Sequence, residues 1–324
     1  MRRYLFRKRR SSNRVIRFLL GTVVLAGVAF ALAAVLRWSE VPDKVPMERT
    51  ASQAELVLHG FDTSHRDLAA VIAKAQKTRS GSMIPVGMHP VIAIVIDDLG
   101  MDVAATRRAM ALPKAVSLSF LPYAGTTPAL AREAERDGHQ VLAHVPMQPL
   151  GTADPGPDAL VTGLSPDETR RRLDWDLSRV PGFAGINNHM GSRFTSDRES
   201  LVPVVKRLAE SGGYFLDSRT TAASAVVPLA RAFGVRSADR DVFLDDKENP
   251  DAVLAQLNET ERKAREAGVA IAIGHPHATT LAMLETWLPR ARARGIDFVP
   301  AGKAIRLKTE LGATPPVTSP TKGQ

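Results

Sequence analysis

Residues 91–100 read VIAIVIDDLG, and this stretch decides the fold. Its first six residues are apolar and mostly β-branched, with no polar residue between them. Such a run fits a strand buried on both faces, as in a parallel sheet covered by helices. Asp97 and Asp98 follow at the carboxyl end, and Gly100 comes just after. One Asp at a strand end is an ordinary turn residue. Two in a row point to chemistry, because like charges held together raise one pKa unless a cation neutralises them.

Outward from this strand the pattern repeats. Short apolar runs lie at 115–120, 140–143, 184–187, 214–216, 270–273 and 297–299. Between them, 127–137, 166–179, 201–211, 251–267 and 281–294 carry helical spacing. Strand-then-helix alternation argues for a parallel sheet. At roughly 30 residues per βα unit, residues 90–308 hold about seven units. The expected fold class is therefore α/β, a deformed (β/α) barrel of about seven parallel strands. An open doubly wound sheet is the alternative. No phosphate-binding Gly-rich fingerprint follows the first strand.

The charge is unevenly placed. The chain has 324 residues, a net charge of +9 and no Cys. A disulfide scaffold and a Cys nucleophile are thereby excluded. Eight of the nine net charges fall within residues 1–17, a tail holding Arg2, Arg3, Arg7, Lys8, Arg9, Arg10, Arg14 and Arg17 and no acid. The remainder is nearly neutral, so no nucleic-acid footprint is expected on the globular part. Residues 18–36 (FLLGTVVLAGVAFALAAVL) carry no charge. That length crosses a hydrocarbon core as a helix, and positive flanks stay cytoplasmic. We therefore read 1–17 as a cytoplasmic tail and 18–37 as a transmembrane signal-anchor. The barrel then sits on the periplasmic, extracytoplasmic side of the inner membrane. A cleaved signal peptide is the alternative, since small residues near Ala31 to Ala34 offer a cleavage site. Residues 38–89 read as a juxtamembrane linker with a short helix within 52–78. Residues 309–324 read as a disordered, Pro- and Thr-rich tail.

Five apolar runs end in polar residues: Asp97 and Asp98; His144; Asn187, Asn188 and His189; Asp217; and His275 followed by His277. In parallel α/β folds the carboxyl ends of the strands share one face, where the active site lies. One carboxylate and two imidazoles on that face are the ligand set of an open catalytic zinc site. Zinc lowers the pKa of its bound water to about 7 and polarises a carbonyl oxygen. A second carboxylate supplies a base and a further His an acid. The pattern outlines metal-assisted hydrolysis of an amide or ester. His277 fits a helix cap as well as a site residue. Trp175, Trp287 and Phe194 are the candidates for stacking on a sugar.

At these residues the chain resembles the divergent polysaccharide deacetylase family, a remote branch of the polysaccharide deacetylase (NodB-homology) superfamily. The matching stretches are IDDLG (96–100), GHQVLAHVPMQP (138–149), GINNHMGSRFT (185–195), YFLDSRTT (214–221), DVFLD (241–245) and AIAIGHPH (270–277). The resemblance implies a deformed barrel with a divalent metal, most simply Zn²⁺, at its rim. It implies Asp97 as general base, Asp98 and His144 as metal ligands, and His275 as catalytic acid. Similar proteins carry a second His four residues after the first, where this chain has Gln148. His189 is offered as the replacement ligand, Arg193 as a substrate or oxyanion contact, and Asp217 as an orienting acid or a strand-end cap. The activity implied is removal of acetyl groups from an N-acetylated cell-envelope glycan by attack of a metal-bound water. The implied partners are a carbohydrate polymer and, through one N-terminal helix, the membrane. Protein partners stay open. Two other readings stay open: a non-catalytic glycan- or protein-binding module on the same barrel, and a metal-dependent hydrolase with another substrate.

Overall fold

The computed structural model describes residues 89–313. The expected tail, anchor, most of the linker and residues 314–324 lie outside the described residues. Among the described residues no helix is long and apolar enough to cross a membrane.

Strands and helices alternate as expected. The order is β1 (Val91–Leu99), α1 (Val103–Met110), β2 (Ser117–Phe120), α2 (Thr127–Arg136), β3 (Val141–Met147), α3 (Pro166–Arg179) and β4 (Phe183–Met190). It continues through α4 (Arg198–Ser211), β5 (Tyr214–Asp217), α5 (Val226–Ala232), β6 (Ser237–Asp239), β7 (Val242–Phe243), α6 (Pro250–Ala267), β8 (Val269–Gly274), α7 (Ala278–Ala293), β9 (Asp297–Phe298) and α8 (Ala301–Ala313). Helix starts follow local chemistry. Ser165 precedes Pro166 and accepts from the Glu168 N–H, and Asn249 precedes Pro250 and accepts from the Ala252 N–H. Helices α4 and α6 stop at Gly212 and Gly268, both left-handed. Helix α8 runs past 308 to Ala313, so the expected tail is helical over its first residues.

All strands run parallel in one curled sheet of order β6-β5-β4-β3-β2-β1-β8-β7. β6 and β7 are two halves of one extended segment. β6 pairs with β5, and Arg240 N–H continues that ladder to Asp217 C=O. Asp241 N–H then bonds Ile271 C=O, and β7 pairs with β8. The hydrogen-bond ladder therefore passes from β5 to β8 through a single split strand. β9 pairs with the start of β1.

Strand alternation sorts the core into two shells. On β1, Ile92, Ile94 and Ile96 join the outer core under the helices, with Leu130, Leu173, Val204 and Leu284. Val91, Ala93 and Val95 face the concave side, with Leu142, Tyr214, Ile271 and Ile273. Ala301, Ala304 and Ile305 of α8 belong to that inner cluster. The final described helix thus fills the concave side of the sheet, packing on β1 and β8. The same alternation carries Asp97, next after Val95, onto the concave side.

Candidate metal centre

Alternation also delivers His144 after Leu142, and His275 after Ile271 and Ile273, to the concave side beside Asp97. Asp98 is the exception. Consecutive residues of a regular strand point to opposite faces, so Asp97 and Asp98 should diverge. β1 shifts register between Ile96 and Leu99, and Asp98 has φ of 56°. This local irregularity costs a non-Gly residue about 1 kcal/mol or more. It turns both carboxylates of the pair toward the same histidines.

Three ligand atoms converge. Asp98 Oδ1 lies 3.0 Å from His189 Nδ1 and 3.2 Å from His144 Nε2, and the two nitrogens are 3.3 Å apart. Zinc bonds to nitrogen and oxygen of about 2.0–2.1 Å place tetrahedral ligands about 3.3 Å from one another. The triangle therefore has the size of one face of a zinc tetrahedron. Asp98 Oδ1 is buried and accepts no well-directed hydrogen bond from either ring. An orphaned buried carboxylate oxygen facing two imidazole nitrogens fits a cation.

The surroundings fix the ligands. His144 is buried, and its Nδ1 donates to Asn187 Oδ1 at 2.9 Å, which leaves Nε2 as the lone-pair nitrogen. Asn187 Oδ1 also accepts from Ser119 Oγ at 2.5 Å. Asn187 Nδ2 donates to both oxygens of Asp97, each at 2.8 Å. One amide thus links the buried Asp97 carboxylate to His144, a role the sequence reading did not assign to Asn187. Burial pushes the Asp97 carboxyl up, against the opposing pull of His144, His275 and Asn187. For Asp98, burial also raises the pKa, but the close His144 and His189 imidazoles outweigh it and hold the carboxyl well below its usual range.

His275 stands on the other side. Its Nε2 is 3.8 Å from Asp98 Oδ2, and its Nδ1 is 3.0 Å from Asp245 Oδ1. Asp245 Oδ2 accepts from His275 N–H at 2.6 Å and from Thr280 Oγ1 at 2.8 Å. Gly274 makes this approach feasible, since a Cβ there would meet Asp245 Oδ2 at 3.2 Å. Burial lowers the His275 pKa, but the Asp245 hydrogen bond and the charges of Asp97, Asp245 and Asp98 outweigh it and push it up to about 9. The ring is protonated at neutral pH and able to give a proton. From the sequence, Asp245 at the end of DVFLD reads only as structural or substrate-facing, because β7 is too short to announce itself as a strand.

The remaining expectations sort as follows. Gln148 Oε1 accepts from Thr162 N–H and Oγ1, so its side chain ties down a loop and is engaged away from the ligands. The Gln148 carbonyl accepts from the Arg193 and Phe194 N–H groups. The Arg193 side chain is exposed, and its structural bonds run through its backbone. Asp217 is buried, and its Oδ1 accepts from the Arg219 N–H at 2.7 Å, a turn within its own loop. His277 occupies the N-cap position of α7 without a side-chain cap bond, with Nε2 3.5 Å from Glu248. Phe194 and Trp287 are buried and offer no face to a sugar, which corrects their reading as stacking residues. Trp175, 37% exposed, keeps an accessible ring. Arg240 on the split strand was missed. It lies 4.7 Å over the Phe243 ring and feels the charge of Asp97 and Asp217.

A curled parallel α/β sheet with a carboxylate and two imidazoles at its rim, a set able to hold a metal, defines the class of the protein. Within that class the chain belongs to the divergent polysaccharide deacetylase family, whose model matches residues 94–305. It is 38% identical over 194 residues to an uncharacterized protein of Escherichia coli, YibQ, covering 60% of this chain and 61% of that one. An uncharacterized protein of Haemophilus influenzae is 36% identical over 215 residues, covering 66% and 76%. The fold matches the crystal structure of an uncharacterized protein from Agrobacterium tumefaciens with a TM-score of 0.65 and 28% identity, over 68% of this chain and 91% of that one.

Proposed function

We propose that this chain is a metal-dependent hydrolase that removes acetyl groups from an N-acetylated cell-envelope glycan. The observation that carries the reading is the triangle of Asp98 Oδ1, His144 Nε2 and His189 Nδ1, sized for zinc and completed without a ligand from position 148. The carbohydrate substrate rests on the family's description. When bound, zinc supplies Lewis acidity toward the acetyl carbonyl and acidifies a water. Asp98, His144 and His189 would hold it. Asp97, raised by burial and held by Asn187, takes the proton from the attacking water. His275, kept protonated by Asp245, gives a proton to the departing amine. Arg193, at the loop after β4, is the proposed contact for the sugar or the developing oxyanion. The uncharged segment 18–36 and its basic flank support a single inner-membrane anchor with this site on the periplasmic side.

The test measures zinc content and acetate release from N-acetylated glycan in the full-length protein and in Asp98→Ala and His189→Ala. Near-stoichiometric zinc, lost in both variants together with acetate release, is expected. A folded parent that takes up no zinc overturns the hydrolase reading and leaves the binding module. Retention of zinc in His189→Ala removes His189 from the ligand set.

A further inference from the structure

A second site lies on the outside of the barrel. Helices α6 and α7 border an open cleft of about 440 Å³, whose lining includes Leu254, Glu261, Arg262, Arg265, Trp287, Arg290 and Arg294. Glu261 is the one carboxylate in this lining and is held by two guanidiniums. Its Oε1 accepts from Arg265 Nη2 at 2.8 Å and Nε at 3.1 Å, and Arg294 reaches both its oxygens through Nε and Nη2. Arg265 Nη2 also donates to the Arg294 carbonyl at 2.9 Å, which locks the pair. Each guanidinium has five N–H groups in a fixed fork, so the Nη1 ends of both remain unspent. Arg262 is taken up by Glu259 and Glu266. Arg290 forms no side-chain bond among the described residues.

An independent observation points the same way. Trp287 lines the cleft, is 3% exposed, and its Nε1–H has no hydrogen-bond partner. Buried donors of this kind are normally paired. The cleft therefore gathers an indole N–H, the free ends of two braced guanidiniums and one uncommitted Arg, against a single carboxylate already neutralised. Leu254, 38% exposed, adds an apolar lip. Arg290 lies roughly 20 Å along α7 from His277, at 1.5 Å per residue, so this cleft is separate from the metal centre.

We propose that the cleft between α6 and α7 binds an anionic group, phosphate or carboxylate, carried on a ligand larger than the anion itself. The planar guanidiniums match the oxygens of such a group, and the indole N–H adds a fixed donor. This site does not depend on the deacetylase reading.

The experiment titrates metal-stripped full-length protein with pyrophosphate by calorimetry, so that chelation at the metal centre does not contribute. Saturable binding is expected. Arg290→Ala should weaken it about tenfold or more, the usual scale for a charge-assisted bond. Trp287→Phe, which keeps a ring and loses the N–H, should weaken it several-fold. Arg290→Ala also changes an exposed side chain and leaves the core alone. Vesicles of phosphatidylglycerol, against phosphatidylcholine, distinguish the sources of the anion. Vesicle binding weakened by Arg290→Ala identifies a lipid headgroup, and pyrophosphate binding without it identifies a soluble ligand. Either supports the site. Absence of saturable binding, or binding that both variants leave intact, overturns it.

Discussion

Asp97 at the end of β1 and Asp176 in α3 are both buried carboxylates, and burial pushes both above the usual range. Their surroundings differ completely. Both oxygens of Asp97 are held by Asn187, and His144 and His275 oppose the effect of burial. Neither oxygen of Asp176 has a hydrogen-bond partner. Burial and the charge of Asp158 push it up to about 8, with Arg172 opposing. Burial of an acid alone therefore does not mark a site. What marks the rim is convergence, in which each buried group limits the ionisation and orientation of the next.

The contrast can be broken most severely at the rim. Asp98→Ala removes a vertex of the ligand triangle, and loss of several kcal/mol of charge stabilisation predicts a fall in acetate release of about a thousandfold or more. Metal analysis of the same variant should show no retained zinc. Asn187→Leu leaves all three ligands but frees His144 and Asp97 from their common partner. Outer-shell changes of this kind cost about 10–100-fold in metal affinity, measurable by competition with a chelator. Affinity equal to the parent's would reduce Asn187 to a packing residue.

Asp245→Asn tests the other side of the rim. The His275 pKa is raised, so its protonated form persists up to about pH 9. Removing the Asp245 charge should bring the alkaline limb of the pH–rate profile down toward the ordinary His value near 6.5. The rate at pH 8 should fall by up to about thirtyfold, with less loss at pH 6. An unmoved limb would assign it to another group.

The smallest effect concerns stability. Asp176 has its folded pKa raised above the unfolded value, so between about pH 4 and pH 8 the unfolded state binds fewer protons than the folded one. The parent should lose stability as pH rises across that window. Asp176→Asn removes the titration and should be more stable than the parent at pH 8 by about 1–3 kcal/mol. The gain should shrink at pH 5, where Asp176 is protonated in the fold. Urea melts at the two pH values measure this, and a gain independent of pH would contradict the assignment.

The parallel sheet was legible because VIAIVI and its counterparts are too apolar to face water. The placement of Asp97, His144 and His275 was legible because strand alternation is strict. Asp98 joins them through a register shift at positive φ, which no periodicity announces. Arg240 escaped notice, and the bond from Asp245 to His275 was not legible, because the split strand beside them is short and only partly apolar. Asn187 sat within a quoted motif, but the two-sided use of its amide depends on Asp97 and His144, far away in sequence. Phe194 and Trp287 misled because an aromatic residue is apolar wherever it lies, and only packing decides its exposure.

Helix α8 fills the concave side of the sheet, and it follows every strand it packs against. On a ribosome, β1 to β8 must therefore emerge before the inner core has its last component. β1 also waits for β8, its neighbour across most of the domain's length. Such distant pairings fold slowly and leave apolar surface open in the meantime. Nascent chains of this protein should therefore depend on holdase-type chaperones until α8 has been synthesised.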